Sequence, residues 1–226
     1  MLGRPALSPA TPDFDGLARA YRGLEFLAFG RDLERARFCL LDRLRDCRDI
    51  LILGEGDGRC LAQLVRAAPA ARIRCVDASG AMLARAAARL TDPAARARVA
   101  FDRADALSLP LPAARYDAVV TLFFLDCLLP DQVAALVGRV QASLRPGARW
   151  LWADFAWPRR GWRLWRARAT LRVLYTFFRW RTGLPARALP PAEEILERAG
   201  FAREAEREFQ GGFIRSALFR ERAPPP

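Results

Sequence analysis

One stretch, residues 50–59, constrains the fold of this chain more than any other. It reads Ile-Leu-Ile-Leu-Gly-Glu-Gly-Asp-Gly-Arg, so an uncharged aliphatic strand runs directly into three alternate glycines. The apolar residues Leu61, Leu64 and Val65 then recur at helical spacing. Because glycine lacks a Cβ atom, the backbone at such a turn can bend sharply and approach a bound ligand closely. The stretch predicts a strand, a turn and a helix, and the turn either binds a ligand or is only a tight connection.

A second predicted strand ends in an acid. Residues 72–77 read Arg-Ile-Arg-Cys-Val-Asp, and Ser79 stands where it can cap a helix running through Met82 to residue 90. An acid about twenty residues after a glycine turn can accept hydrogen bonds from the two vicinal hydroxyls of a ribose. Asp77 is therefore a candidate nucleoside ligand. The alternative interpretation is that Asp77 caps the helix or complements its dipole.

Strand and helix patterns alternate five times along the chain, which predicts an α/β fold. Such alternation is typical of a parallel sheet with helices on both faces, where ligands collect at the carboxyl ends of the strands. Residues 201–209 and 213–219, joined across Gln210-Gly211-Gly212, predict a terminal antiparallel hairpin. The other predicted elements are two helices between residues 14 and 44 broken near Gly30, strands near residues 98–102, 116–124 and 150–155, a helix over residues 131–144 closed by Arg145-Pro146-Gly147, and a helix over residues 190–199.

Composition limits the chemistry that the chain can perform. Its 226 residues carry a formal charge of +12, all of the positive charge is arginine, and histidine is absent. A histidine general base and a histidine metal site are therefore excluded, and no metal is expected. The arginine bias resembles a GC-rich coding habit, so it is weak evidence for nucleic-acid binding. The five cysteines are widely spaced without a C-x-x-C pair, which favours reduced thiols in a reducing compartment.

The predicted organisation is a single domain whose core is flanked by a helical lid, a helical insertion and a terminal hairpin. We expect a tail and helical lid over residues 1–45, a core over 46–156, a helical insertion over 157–200, the hairpin over 201–220 and a disordered tail over 221–226. The insertion at 157–183 is rich in arginine and aromatic residues; it is either core packing or an interfacial helix on an anionic membrane. Without a signal-like start or a run of about 20 apolar residues, the predicted location is cytoplasmic or peripheral on the inner membrane face.

The glycine turn, Asp77, Asp105 and the terminal hairpin together resemble a known family. In this order they are similar to the class I S-adenosylmethionine-dependent methyltransferase superfamily, along nearly the whole chain. The segments 14–21, 29–32 and 196–201 are similar to the ubiquinone/menaquinone C-methyltransferases, in scattered short stretches. The resemblance implies a Rossmann-like, seven-stranded, mostly parallel sheet with helices on both faces and a C-terminal antiparallel hairpin. It also implies S-adenosyl-L-methionine as the cofactor.

The resemblance further implies which residues contact that cofactor. The glycines would lie against its methionine and ribose, and Asp77 would bind the ribose. Residues 78, 82, 105 and 106 would hold the adenine. Residues 121 and 122 would lie beneath the sulfonium, and residue 21 would belong to a lid. The implied contacts are Tyr21, Gly54, Gly56, Gly58, Asp77, Ala78, Met82, Asp105, Ala106, Thr121 and Leu122. One departure concerns the acid that the family commonly has two residues before the first glycine, where this chain has Ile52. Glu55 and Asp57 are candidates to hold the cofactor's amino group instead. Because of this departure, an alternative is a protein that binds the cofactor weakly or binds it without catalysis.

Methyl transfer from a sulfonium requires mainly positioning and the exclusion of water, because the leaving group is already good. A carboxylate can then suffice as base for an acidic phenol or a quinol carbon. Asp126, just after the predicted fourth strand, and Asp154, at the end of the fifth, are the candidate catalytic acids. A structural role, in particular helix capping by Asp126, is the alternative for both.

The preferred function is methyl transfer to a small, hydrophobic acceptor, quinone-like or phenolic. A nucleic-acid methyltransferase is the second hypothesis, although residues 121–126 lack the Asn/Asp-Pro-Pro-aromatic motif of base-amine methyltransferases. A nicotinamide dehydrogenase would need a third glycine where the chain has Arg59. A non-catalytic cofactor-binding protein is the last alternative. The expected partners are the small acceptor and an anionic membrane surface, not nucleic acid, and the sequence predicts no oligomeric state.

Overall fold

The computed structural model describes residues 30–158 and 188–222 of the chain. The predicted lid segment with Tyr21, the arginine-rich insertion from residue 159 onward and the tail beyond Arg222 lie outside these residues, so the predictions made for them stay predictions. Within the described ranges, no helix is long and apolar enough to cross a membrane.

The chain order of the described elements follows the predicted alternation. A 3-10 turn at Leu41–Leu44 follows the first helix, and another at Leu125–Cys127 follows the fourth strand. The elements are α1 Asp32–Phe38, β1 Asp49–Leu53, α2 Arg59–Ala67, β2 Arg72–Asp77, α3 Gly80–Ala88, α4 Pro93–Ala97, β3 Val99–Arg103, β4 Tyr116–Leu122, α5 Pro130–Ser143, β5 Leu144–Phe155, α6 Ala192–Arg198, β6 Phe201–Phe209 and β7 Ile214–Glu221.

The strands form one seven-stranded sheet in the order β3-β2-β1-β4-β5-β7-β6. The first five strands of the chain pair in parallel, and β7 runs antiparallel to both β5 and β6. The predicted fold class and the terminal hairpin are therefore confirmed. Strand order reverses between β1 and β4, and crevices at such a reversal are where ligands bind in open α/β sheets.

Strand β1 lies at the centre of the core and is buried along its whole length. Its side chains alternate between the two faces of the sheet: Ile50 and Ile52 pack into one apolar cluster, and Leu51 and Leu53 into the other. A strand covered on both faces needs an uninterrupted apolar run, which explains why residues 50–53 carry no polar side chain.

Strand β5 begins six residues earlier than predicted. The breaker residues Pro146 and Gly147 lie inside it, because the register with β4 jumps from Tyr116 opposite Leu144 to Ala118 opposite Arg149. The intervening residues form a bulge, which accommodates Gly147 at φ +74°. Arg145 holds this bulge to the amino end of the sheet through ion pairs with Asp117 at 2.7 Å and Asp49 at 3.2 Å.

Two other elements differ from the predictions by more than one or two residues at an end. The second predicted N-terminal helix is split, because α1 ends at Phe38 and a separate 3-10 turn carries Leu41 and Leu44 into the core. Helix α4 was not predicted, although Asp92 before Pro93 is a helix-start signal and its carboxylate accepts from the backbone N–H groups of Ala94 and Ala95. Both differences concern short elements, which periodicity over long windows does not detect.

Candidate functional site

The glycine turn lies at the carboxyl end of β1, and its three glycines meet different surroundings. All have positive φ, +70° at Gly54, +69° at Gly56 and +86° at Gly58. A Cβ on Gly54 would overlap the ring of Phe124 at 2.2 Å, and one on Gly58 would lie 2.3 Å from Ala86 Cα in α3. A Cβ on Gly56 would meet nothing within 4 Å. Gly56 is therefore the position where the main chain borders open space.

Asp77 joins the end of β2 to this turn. Its Oδ2 accepts from the backbone N–H of Gly56 at 3.0 Å, and its Oδ1 accepts from the N–H of Ser79 at 2.9 Å. The helix cap itself is Ser79, whose hydroxyl accepts from the N–H of Met82 at 3.2 Å. Because a carboxylate oxygen can accept more than one hydrogen bond, bracing the turn and binding a ribose are compatible roles for Asp77.

The predicted adenine contacts lie at the ends of β2 and β3. Ala78 and Met82 are half-buried beside Asp77. Asp105 is exposed two residues after β3, and its carboxylate accepts from the N–H of Leu107 at 2.9 Å, while Ala106 is buried. The sheet thus brings the glycine turn, Asp77 and Asp105 to the carboxyl ends of three neighbouring strands.

Thr121 and Leu122 end β4, next to β1. Thr121 is fully buried, and its hydroxyl accepts from Trp150 Nε1 at 2.9 Å. Leu122 is 8% exposed and packs into the cluster on the opposite face of the sheet. Both side chains are therefore core residues at the end of β4, and the hydroxyl of Thr121 stabilises the core.

The two acids within the glycine turn differ in their charge state. Burial disfavours ionisation of Asp57, but the guanidinium groups of Arg59 at 3.1 Å and Arg89 at 2.8 Å outweigh it and lower the pKa of this carboxyl. Glu55 accepts from the N–H of Leu61 at 2.9 Å, and burial raises its pKa to about 8. Ile52 is fully buried in the core. At neutral pH Glu55 therefore carries a proton, and Asp57 is an anion already paired with arginine.

The structure brings the two candidate catalytic acids together. Asp126 lies in the 3-10 turn after β4 and Asp154 near the end of β5, and these strands are neighbours. Their carboxyl groups act on each other, and burial raises the pKa of each. Trp152 Nε1 donates to Asp154 Oδ2 at 2.8 Å, and the thiol of Cys127 donates to Asp126 Oδ1 at 3.5 Å. Both acids had been predicted singly, and the pair itself was not.

Sequence reasoning also missed two contacts that border this site. The backbone turns sharply after β4, where Phe123 has φ +54°, and this directs the ring of Phe124 against Gly54. Arg37 of α1 stacks on the ring of Phe123 at 4.7 Å, and its charge acts on both Glu55 and Asp126. Neither contact has a sequence signal, because each joins segments that are distant along the chain. A strained non-glycine residue at a strand end is typical of functional sites.

Comparisons with known proteins agree with this geometry. Residues 50–147 match the family model described as a methyltransferase domain. The chain is 35% identical over 155 residues to a demethylmenaquinone methyltransferase of Thermus thermophilus, and this match covers 68% of the chain and 66% of the relative. The chain therefore spans just under two thirds of the length of that curated relative.

Solved structures with the same fold cover more of both chains. A 1,6-didemethyltoxoflavin-N1-methyltransferase from Burkholderia thailandensis superposes with a TM-score of 0.60 at 21% identity, over 96% of this chain and 94% of that one. An N-methyltransferase from Bradyrhizobium japonicum gives a TM-score of 0.58 at 20% identity, over 84% and 97%. At these identities the likeness concerns the fold.

Proposed function

Because the chain belongs to the class I S-adenosylmethionine-dependent methyltransferase superfamily, we propose that it transfers a methyl group from S-adenosylmethionine to a small, hydrophobic acceptor. The observation that carries the proposal is the turn at Gly56, where bare main chain borders open space and a carboxylate, Asp77, lies within hydrogen-bonding distance. Bare main chain admits close approach of a nucleoside, and a carboxylate at the end of the next strand suits its ribose.

We infer how the residues around the turn would contact the cofactor. In this proposal Gly56 borders the methionine and ribose, Asp77 accepts from the ribose hydroxyls, and Ala78, Met82 and Asp105 contact the adenine. When bound, S-adenosylmethionine supplies a methyl group on a positively charged sulfur. The carboxyl groups at this end of the sheet favour a cationic ligand, and the ring of Phe124 limits the access of water beside Gly54.

We infer a quinone-like or phenolic acceptor from two observations. The printed name of the 35% identical relative, demethylmenaquinone methyltransferase, supports a quinone-like molecule. The aromatic residues Phe123 and Phe124 follow β4 at the same end of the sheet, where they suit a flat apolar ring. Such an acceptor needs a base of modest strength, which fits the carboxyl groups at the described part of this site.

Cofactor binding is testable by calorimetry with S-adenosylmethionine and S-adenosylhomocysteine. We expect saturable binding to the wild type and at least tenfold weaker binding to Asp77→Asn, since the amide keeps the size of the side chain but donates at one position. Asp102→Asn is the matched control, because Asp102 lies on the neighbouring strand β3 in an ion pair with Arg74 at 2.6 Å. Unchanged affinity in Asp77→Asn would remove Asp77 from the site.

The acceptor class is testable with a labelled methyl group. We expect label from S-adenosylmethionine in demethylated naphthoquinol or in the quinone fraction of a lipid extract, and none in RNA. Label in RNA alone would favour the nucleic-acid hypothesis. Binding of the cofactor without label in either acceptor would favour a non-catalytic protein.

We also propose that the protein acts in the cytoplasm and meets a lipid-soluble acceptor at the anionic inner face of the membrane. The formal charge of +12 supports attraction to anionic lipid. Co-sedimentation with phosphatidylglycerol vesicles at low salt tests this step, with phosphatidylcholine vesicles as control. Protein that stays in the supernatant with both vesicle types contradicts it.

A further inference from the structure

The carboxyl groups of Asp126 and Asp154 form a pair that ordinary ion pairing does not explain. They act on each other, since the charge of Asp126 adds to burial in raising the pKa of Asp154, and Asp154 is only 1% exposed. A buried site disfavours the ionisation of two neighbouring carboxyl groups, because their like charges repel without screening by water. Any hydrogen bond between the two groups would also need a proton on one of them, since an ionised carboxylate is only an acceptor.

The surroundings of Asp154 lead to the same conclusion. Its Oδ2 accepts from Trp152 Nε1 at 2.8 Å, while its Oδ1 is fully buried without a hydrogen bond of normal geometry among the described residues, although the backbone N–H of Phe124 acts on this carboxyl. A buried acceptor left without a donor is unfavourable. A proton shared with Asp126 supplies the missing donor, because an O–H group on either carboxyl completes the bond.

A positive charge and a thiol also act on the pair. The guanidinium of Arg37 acts on Asp126 from α1, and the thiol of Cys127 donates to Asp126 Oδ1 at 3.5 Å. The thiol is neutral, because burial raises the pKa of Cys127 well above its ordinary value. The positive charge of Arg37 beside Asp126 suits a pair with a net negative charge.

The pair also lies beside the proposed cofactor site. Strand β4 is hydrogen-bonded to β1, with Thr121 opposite Leu53, and β5 follows at the next position. Neighbouring strands are about 4.8 Å apart, so the pair is one or two strand spacings from the glycine turn. Asp126 is the more exposed member of the pair, and Asp154 is shielded by the core.

We propose that Asp126 and Asp154 hold one proton between them, and that Asp126 receives the proton that the acceptor loses on methylation. The inference rests on the proposed function. The acceptor atom forms a bond to the methyl carbon, the bond from that carbon to sulfur breaks with its electron pair going to sulfur, and the acceptor's own proton passes to the carboxylate of the pair. Asp154 acts through Asp126 and is a positioning residue. A buried carboxylate is a stronger base than one in water, which suits proton transfer near neutral pH.

Infrared spectroscopy of the protein alone tests the shared proton. With label on the carboxyl carbon of aspartate only, the protonated Glu55 does not contribute to the shifted band. We expect a neutral carboxylic acid band at pH 7 in the wild type and in Asp131→Asn, a control at the exposed start of α5, and its loss in Asp126→Asn and in Asp154→Asn. A wild type without this band, or a band that persists in both pair variants, overturns the proposal.

Kinetics then test the role of each member. Asp126→Asn should lower kcat about a hundredfold with little change in KM, whereas Asp131→Asn should match the wild type. In Asp154→Asn the new amide donates a hydrogen bond to the Asp126 carboxylate, which should lower the pKa of Asp126. The acidic limb of the plot of kcat against pH should therefore move to lower pH. Loss of a merely structural residue would not cause this shift. Wild-type kcat in Asp126→Asn overturns the proton-acceptor role, whereas a wild type that does not bind S-adenosylmethionine overturns the proposed function itself.

Discussion

Replacing Gly58 by alanine should destabilise the protein strongly, because the substitution combines a strained backbone with a close contact. The new Cβ would lie 2.3 Å from Cα and 2.8 Å from Cβ of Ala86. These atoms belong to the rigid part of α3, so the helix itself must shift. A left-handed conformation costs about 1–2 kcal/mol for an alanine, and overpacking costs about 1–3 kcal/mol more. The expected loss is therefore about 2–5 kcal/mol, a large part of the roughly 5–15 kcal/mol of a typical domain.

A matched control separates the two contributions. Gly147 has a similar φ of +74°, but a Cβ there would meet nothing within 4 Å. Gly147→Ala should therefore lose only the conformational part, about 1–2 kcal/mol. Urea unfolding of the wild type and both variants at one pH gives the three free energies. Equal losses in Gly58→Ala and Gly147→Ala would refute the reasoning, because the contact with α3 would then contribute nothing.

Three further predictions concern the site and its support. Gly56→Ala should lose about as much stability as Gly147→Ala in urea unfolding. It should also weaken S-adenosylmethionine binding in calorimetry, because the new Cβ would stand where the ligand approaches the main chain. Unchanged binding would show that no ligand approaches this turn. Because the pKa of Glu55 is raised from 4.5 to about 8 in the folded protein, its contribution to stability is complete below pH 4.5 and is lost as the pH rises toward 8. As the pH rises over this range, the free energy of unfolding of Glu55→Gln should therefore increase relative to that of the wild type, by at most about 5 kcal/mol in urea unfolding. If the free energies of unfolding of the two proteins changed in parallel with pH, the raised pKa would be contradicted. Thr121→Val should cost about 1–3 kcal/mol, because it leaves the buried Trp150 Nε1 without its acceptor, and Trp150→Phe in the same background should reduce that difference in a double-mutant cycle.

The residues that the sequence predicts well are those whose structure depends on near neighbours. Strand β2 has the predicted bounds, and Ser79 caps α3 as expected through a hydrogen bond to the N–H three residues later. The run from Ile50 to Leu53 is buried as a central strand because its apolar pattern allows no exposed face. Burial pattern, capping and turn chemistry act over a few residues, so a single sequence contains them.

Other features depend on which strands become neighbours. Asp126 and Asp154 are 28 residues apart and meet only because β5 pairs with β4, and Phe124 meets Gly54 because β4 is placed beside β1. The early start of β5 follows from the bulge that Arg145 holds through two aspartates.

The charge state of the site was also decided by the tertiary structure. The sequence places Glu55 and Asp57 in one turn, as equivalent candidates to hold the amino group of the cofactor. In the structure Arg89, at the end of α3, pairs with Asp57, whereas burial raises the pKa of Glu55 and favours its protonated form. Desolvation and long-range pairing act through space, and no local pattern encodes them. The sequence by itself thus determined the strand–turn–helix units and the acid that follows β2, whereas the packing of β1, β4, β5 and α3 decided which carboxyl groups carry a proton and which meet.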